Sequence, residues 1–282
     1  MKIVKMVKEE YVNWIFSPKM ILPGCMFIIL YTLGLSELVQ YAEKRNQPIN
    51  ALEPFIGLLN SMQFLGFIPI VFLVLIADFP RTDNNIIYRI YRIGRKKWVI
   101  SEMVFLLLAD VSFLFVLFLG ITGSCFSKAF IYNGWSEVIT ELNQKSPELQ
   151  GTFLQRLIPP NIYYQMLPYK ATVLTFVFLF LYLYLLGMIL MVFKLLGKQK
   201  AGIIGSAGIL LLGSAIAGTD SLVKWGFPAA HSSLTTHFSA YYSKMNCSIG
   251  LSMGYFLFFV GVLVLISLLL SERYDYMKIT HL

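Results

Sequence analysis

The sequence predicts an all-α membrane protein. It is expected to hold six transmembrane helices, an N-terminal interfacial helix, a short cytoplasmic helix after the second span and short outer-face helices. Three observations lead there. Of 282 residues, 57% are hydrophobic and only 13% are charged, about half the charge share of an ordinary soluble domain. The mean hydropathy is +0.69. Nearly uncharged apolar runs recur along the chain, and a bilayer core of roughly 30 Å takes about 20 helical residues.

Residues 1–19 form the predicted interfacial helix. Val4, Val7, Tyr11 and Trp14 recur at spacings of three and four, with Lys5, Lys8, Glu9 and Asn13 off that stripe. Lysines and a tryptophan on an amphipathic helix just before a span suit the plane of the interface. An ordinary solvated helix is the alternative.

The six spans are expected at about 20–36, 55–77, 99–122, 171–193, 201–217 and 249–270, within a transmembrane domain over 20–271. Several charged residues precede the first run and no small-residue cleavage site follows it, so it reads as a span rather than a signal peptide. An even number of spans puts both termini on one side. Fifteen of the 23 lysines and arginines lie before span one, between spans two and three, between spans four and five, and after span six; the other eight lie on the opposite side. Excess positive charge marks cytoplasmic segments. The expectation is a cell-membrane protein with cytoplasmic termini, the tail being 272–282. The net charge of +8 reads as orientation and contact with lipid, with no nucleic-acid partner.

Outside the membrane, the segment Gly123 to Tyr169 is predicted to hold two short helices. One carries Trp135, Val138, Ile139 and Leu142. The other starts at Ser146-Pro147-Glu148-Leu149, runs through Phe153 and Leu157, and stops at Pro159-Pro160. The segment Gly218 to Ser248 is mildly apolar but too broken to span. It suits a re-entrant or interfacial hairpin, which requires that protein cover its backbone. In span five, Ala201 with Gly205 and Gly213 with Ala217 are small pairs four apart, which permit close helix packing.

Several chemistries lack their motifs. There is no G-x-x-x-x-G-K-[ST] loop for nucleotide phosphates, no H-E-x-x-H and no G-x-S-x-G. His231, His237 and His281 have no acidic partner at metal-site spacing, and Cys25, Cys125 and Cys247 make no framework. The chain is expected to be no enzyme and to carry no cofactor or metal. Glu102 and Asp110 are the carboxylates within the spans. Asp110 is near mid-span, where charge is costly, so it should face protein or a cavity. It reads either as a packing residue or as a substrate or proton contact.

The segment ADFPRTDNNIIYRIYRIGRKKW, Ala77 to Trp98, is the densest in charge. Asp83 is placed to cap a helix. Ile86, Ile90 and Ile93 form one stripe; Arg89, Arg92 and Lys96 form another. Gly94 ends the helix. Arg95, Lys96, Lys97 and Trp98 are placed to anchor span three at the headgroups. Topology accounts for Arg95, Lys96 and Lys97 but not for a capped, periodic helix before them.

Six spans, this basic helix after span two, an acid followed by R…G-R-K, and an outer hairpin before span six together resemble the permease subunits of the ABC-2 type of ATP-binding cassette transporters. The resemblance covers most of the chain in architecture. It implies a second permease subunit, identical or homologous, and a separate ABC-type ATPase that binds ATP and Mg. It implies coupling through Arg81, Asp83, Ile86, Arg89, Ile90, Arg92 and Ile93, and export of a peptide antibiotic, a drug or a lipid-like substrate. The alternatives are a secondary transporter, for which no inverted repeat is visible, and a non-transporting scaffold.

Overall fold

The computed structural model describes residues 2–81, 86–125, 129–144, 153–239 and 244–273. In chain order it contains α1 (Lys2–Ile15), α2 (Ile21–Leu30), α3 (Ser36–Arg45), strand β1 (Ile49–Asn50), α4 (Glu53–Asn60), α5 (Phe67–Leu75), α6 (Ile86–Ile93) and α7 (Arg95–Gly123). Strand β2 (Ala129–Phe130), α8 (Glu137–Gln144), α9 (Phe153–Leu157), α10 (Pro160–Tyr163), α11 (Pro168–Leu195) and α12 (Gln199–Ala217) follow. A 3-10 turn (Leu222–Gly226) leads to α13 (Pro228–Ser232), α14 (Leu234–His237) and α15 (Ile249–Arg273).

Five helical stretches are long and apolar enough to cross a bilayer: Pro18–Arg45, Arg95–Gly123, Pro168–Leu195, Gln199–Ala217 and Ile249–Glu272. The chain is therefore a helical membrane protein. The first stretch opens at Ser17, whose hydroxyl accepts the Lys19 N–H, with Pro18 next. It closes at Asn46, whose φ of 52° is left-handed, with Gln47 N–H returning to Ala42 O. Asparagine tolerates that conformation better than most residues.

The segment predicted as span two, Phe55 to Ala77, is not one helix. It divides into α4 and α5, with Ser61–Gly66 between them. Asn60 and Ser61 offer side chains that compete for backbone groups, and Ser61 takes an extended ψ of 131°. Irregular backbone at membrane depth survives only where protein covers it or a cavity receives it. Both occur here: Phe64 and Leu65 are buried, while Ser61, Met62 and Gln63 line a cavity.

Helix α11 is the central mast, packed against α15, α12, α7 and α4. Gly187 brings it close to α7; a β-carbon there would lie 2.6 Å from a Leu106 methyl. On α12 the buried face is Gly202, Ser206, Leu210, Gly213 and Ala217. Gly213 and Ala217 thus do pack as small residues, with Gly213 against Phe227 and Ala229. Ala201 is exposed and Gly205 faces open space.

Helix α1 packs along α7. It buries Met6, Val7, Glu10 and Trp14, and leaves Val4 70% exposed, so the buried stripe is rotated from the predicted one. Trp14 Nε1 donates to Leu75 O, and Tyr11 pairs with Ser112.

Two faces result. On one, Lys19 meets Asp78 at 2.6 Å and Gln199 donates to Ala77 O. There too Lys96 meets Glu272 at 2.6 Å and Arg95 donates to Glu272 O. The start of span one, the end of α5, the starts of α7 and α12, and the end of α15 thus share this basic face. The opposite, loop-bearing face holds β1 paired in parallel with β2, helices α8 to α10 and the hairpin of α13 and α14. Val138, Ile139 and Leu142 of α8 are buried as their spacing predicts. The expected helix start at Ser146 to Leu149 lies outside the described residues.

Candidate functional site

Asn60, the last residue of α4, organises the loop-bearing face. The final carbonyls of a helix have no partner within it. The hydroxyls of Ser233 and Thr235 reach Asn60 O at 3.2 and 3.3 Å. The Asn60 side chain spans the other way: Oδ1 accepts the Leu234 N–H at 2.7 Å, and Nδ2 donates to Ile56 O and Thr175 Oγ1. One buried amide therefore joins the broken segment, α11 and the hairpin.

Beside it opens a cavity of about 830 Å³, bounded by the α4–α5 break, α10, the end of α12 and the hairpin. Its walls carry amides and hydroxyls, with Arg156, Lys224 and Asp220 as charges. Lys224 Nζ is held by Thr219 O at 3.0 Å and lies 5.5 Å from the Trp225 ring. Met62, Pro159, Pro160, Ala217 and Phe238 line it as well, so polar groups are set in a partly apolar wall, the usual make-up of a ligand pocket.

Behind the cavity the hairpin is fastened by two imidazoles. Ser252 Oγ of α15 lies 2.8 Å from both His231 Nδ1 and His237 Nε2. The far nitrogens meet backbone carbonyls, His231 Nε2 with Trp225 O at 2.9 Å and His237 Nδ1 with Ser233 O at 2.8 Å. Phe178 stacks on His237, and Tyr255 on His231 with centroids 4.1 Å apart. Burial pushes His231 below the usual histidine range. It pushes His237 further, to about 4, helped by the neighbouring His231 and opposed by the Ser233 carbonyl. The sequence gives no spacing cue for this group, because Ser252 lies 21 residues from His231 on another element. The chain also buries Glu53, which accepts the Ser136 N–H at 2.5 Å, the Ser136 hydroxyl at 2.7 Å and the Asn50 N–H at 3.2 Å.

No family model, curated protein or solved structure matches this chain.

The residues singled out in the sequence fall in two places, both away from the cavity. Helix α6 lies on the basic face against α7. Ile90 is buried and Ile93 half-buried, so these two turn toward the chain itself. Tyr88, Tyr91 and Arg92 point outward, the tyrosines 75% and 82% exposed. Tyr88, Tyr91 and Arg92 lie three and four apart on α6, and the sequence pattern did not single out the two tyrosines. Gly94 separates α6 from α7 with a φ of 92°, and its N–H bonds Ile90 O. Arg81 is half-exposed. Asp83 lies outside the described residues, as do the side chains of Ile86 and Arg89. Arg95 and Lys96 engage Glu272, and Lys97 is exposed. Trp98 is 1% exposed, a core residue rather than an outward headgroup anchor.

Within the membrane Asp110 is buried, as its cost in lipid requires; Glu102, whose place near the inner end of span three suggests reach to the interface, is 1% exposed and buried as well. Neither Asp110 oxygen has a hydrogen-bond partner among the described residues. Among those residues no group of three or more His, Cys, Asp or Glu side chains is placed to hold a metal ion.

Proposed function

We propose that the chain is the membrane-spanning permease subunit of an ATP-driven exporter, working with a separately encoded ATPase and a second permease subunit. One observation supports this most. A short helix is held between a broken segment and a span, turns Ile90 and Ile93 to its own chain, and leaves Tyr88, Tyr91 and Arg92 exposed. Tyrosine and arginine are enriched among residues that carry binding energy at protein interfaces. In this reading the basic face is cytoplasmic and α6 seats on the ATPase. The cavity on the opposite face is where a polar part of the exported molecule, such as a peptide or a lipid headgroup, leaves. The decisive experiment is copurification of the full chain with an ATPase, followed by ATP-dependent transport in proteoliposomes. An isolated chain that transports on an ion gradient alone would sink it.

One observation favours a second reading, a secondary transporter. Discontinuous helices and a mid-membrane carboxylate are usual in such proteins, and α4–α5 with Asp110 supplies both. The same proteoliposomes separate the two readings by energy source.

A further inference from the structure

We propose that His231, Ser252 and His237 form one proton-binding site, which takes up a single proton and shares it along a chain of hydrogen bonds from Trp225 O to Ser233 O. The proposal follows from counting hydrogens. The chain has four contacts of 2.8 to 2.9 Å: Trp225 O to His231, His231 to Ser252, Ser252 to His237, and His237 to Ser233 O. Each contact needs one hydrogen. A neutral imidazole carries one N–H and a serine one O–H, so the three side chains bring three. Carbonyl oxygens only accept, which commits both imidazole hydrogens to the ends. Ser252 then has one hydrogen for two facing lone pairs. In the neutral state one 2.8 Å contact sets acceptor against acceptor. One added proton completes all four.

Neighbouring groups do not fill the gap. Thr236 Oγ1 is 3.4 Å from His237 Nδ1, and its single hydrogen faces the carbonyls of Ala230 and Ser233 at 2.6 and 2.7 Å. Cys247 Sγ is 3.7 Å from Ser252 Oγ and can reach the serine oxygen but neither imidazole contact. From α15, Tyr255 covers His231 while its hydroxyl donates to Gly226 O. Helix α11 contributes Phe178 at His237, with buried Tyr182 beside Tyr255. The 3-10 turn contributes Trp225 and Lys224, the latter held by Thr219 O. Helix α10 contributes Asn161, which holds Thr235 O and Phe238 O, while Tyr163 turns away to Thr140. Helix α12 offers Gly213 to this region, which does not titrate. No carboxylate acts on either imidazole among the described residues.

Two effects therefore oppose each other. Burial and mutual repulsion work against charge, and the missing hydrogen works for one proton and no more. Uptake falls below the usual histidine range and completes the tie between the hairpin and α15. On release one link of that tie is lost. The site is thus a pH-sensitive fastening of the hairpin that walls the cavity, and it holds whether or not the exporter reading does.

The test is nitrogen-15 NMR of histidine-labelled full-length chain in detergent, in a His281→Asn background, from pH 7 down to about pH 4. The expected result is one step in which both rings shift together and the pair gains one proton. Ser252→Ala should split the step, giving each ring its own midpoint. Ser252→Thr, which keeps the hydroxyl, should retain the joint step. Two rings titrating independently in the unmodified serine background would overturn the proposal, as would no uptake above pH 4. That measurement decides the matter on its own if Ser252→Ala does not fold.

Discussion

Asn60 Oδ1 accepts the backbone N–H of Leu234 at 2.7 Å, across 174 residues of sequence. The bond caps α14 from the end of α4, so the break in the second apolar segment and the hairpin are one device. Asn60→Leu keeps similar bulk but leaves the Leu234 N–H and Thr175 hydroxyl without their partner. A buried unsatisfied group costs about 1 to 3 kcal/mol. The variant should melt several degrees lower and lose amide protection in 228–237 by hydrogen exchange. Unchanged protection would show that the hairpin is held without Asn60.

Glu53 gives a pH dependence with a defined sign. Burial raises its carboxyl from 4.5 to about 7, against three donors that favour the ionised form. A raised value means the folded chain holds this proton better than the unfolded chain. The stabilising contribution is therefore full below pH 4.5 and is lost as pH rises through 7. Its size is of order 3 kcal/mol, from the linkage between protonation and folding. Urea or thermal unfolding in detergent should be less favourable at pH 5 than at pH 8, and Glu53→Gln should flatten that slope. An equal slope in Glu53→Gln would remove Glu53 as its source.

Glycines on different helices should respond oppositely to alanine. A β-carbon on Gly57 would lie 2.5 Å from Leu157 Cγ and 2.9 Å from Leu157 O, so α4 and α9 would have to part. Overpacking of this kind costs about 1 to 3 kcal/mol. Gly205 and Gly208 meet nothing within 4 Å. Alanine there should be neutral or stabilising by up to about 1 kcal/mol, from helix propensity. Melting temperatures of the single variants check both signs. A fall at Gly205 would point to a contact with a second subunit.

These sites differ in how far the sequence announces them. Long apolar runs are legible because lipid imposes a length on them, and five helical stretches stand where six spans were expected. The division of 55–77 left a trace in Asn60, Ser61 and Gln63, three polar residues inside an apolar run. Hydropathy averages them away, because it scores a window rather than asking which backbone groups a side chain can capture. Trp98 was placed at the headgroups by composition alone, while its actual burial depends on how α1 and α6 pack around α7. The His231, Ser252 and His237 cluster left no trace. It arises from the approach of α15 to the hairpin, a tertiary fact with no local pattern.

Asp110 is completely buried on α7, with Tyr184 of α11 in electrostatic reach. An ionised carboxylate at mid-membrane costs about 2.5 to 3.5 kcal/mol on insertion scales. Asparagine has nearly the same shape and no charge. Asp110→Asn should insert, assemble and melt like the parent, with transport changed by less than about threefold, a barrier change under 1 kcal/mol. Normal assembly with transport abolished would instead assign the carboxylate a proton or substrate role and strengthen the secondary-transporter reading.

Helix α6 separates two jobs onto different side chains, and substitutions can test them apart. Ile90 is 6% exposed and holds the helix to α7. Ile90→Ala should lower the melting temperature through lost packing, at a cost of about 2 to 4 kcal/mol. Tyr91 and Arg92 face outward, so Tyr91→Ala with Arg92→Glu should leave the fold intact. Arg95, Lys96 and Lys97 remain to fix orientation, two of them already tied to Glu272. If α6 seats on an acidic groove of an ATPase, the reversed charge meets like charge, which costs several kcal/mol at an interface. A loss of about 3 kcal/mol weakens binding more than a hundredfold. Copurification of the ATPase should then fail while the melting curve stays unchanged. Arg89→Glu added to the pair should deepen the loss if that arginine shares the face. Undiminished copurification and transport in the triple variant would reduce these residues to topology signals and remove the docking role of α6.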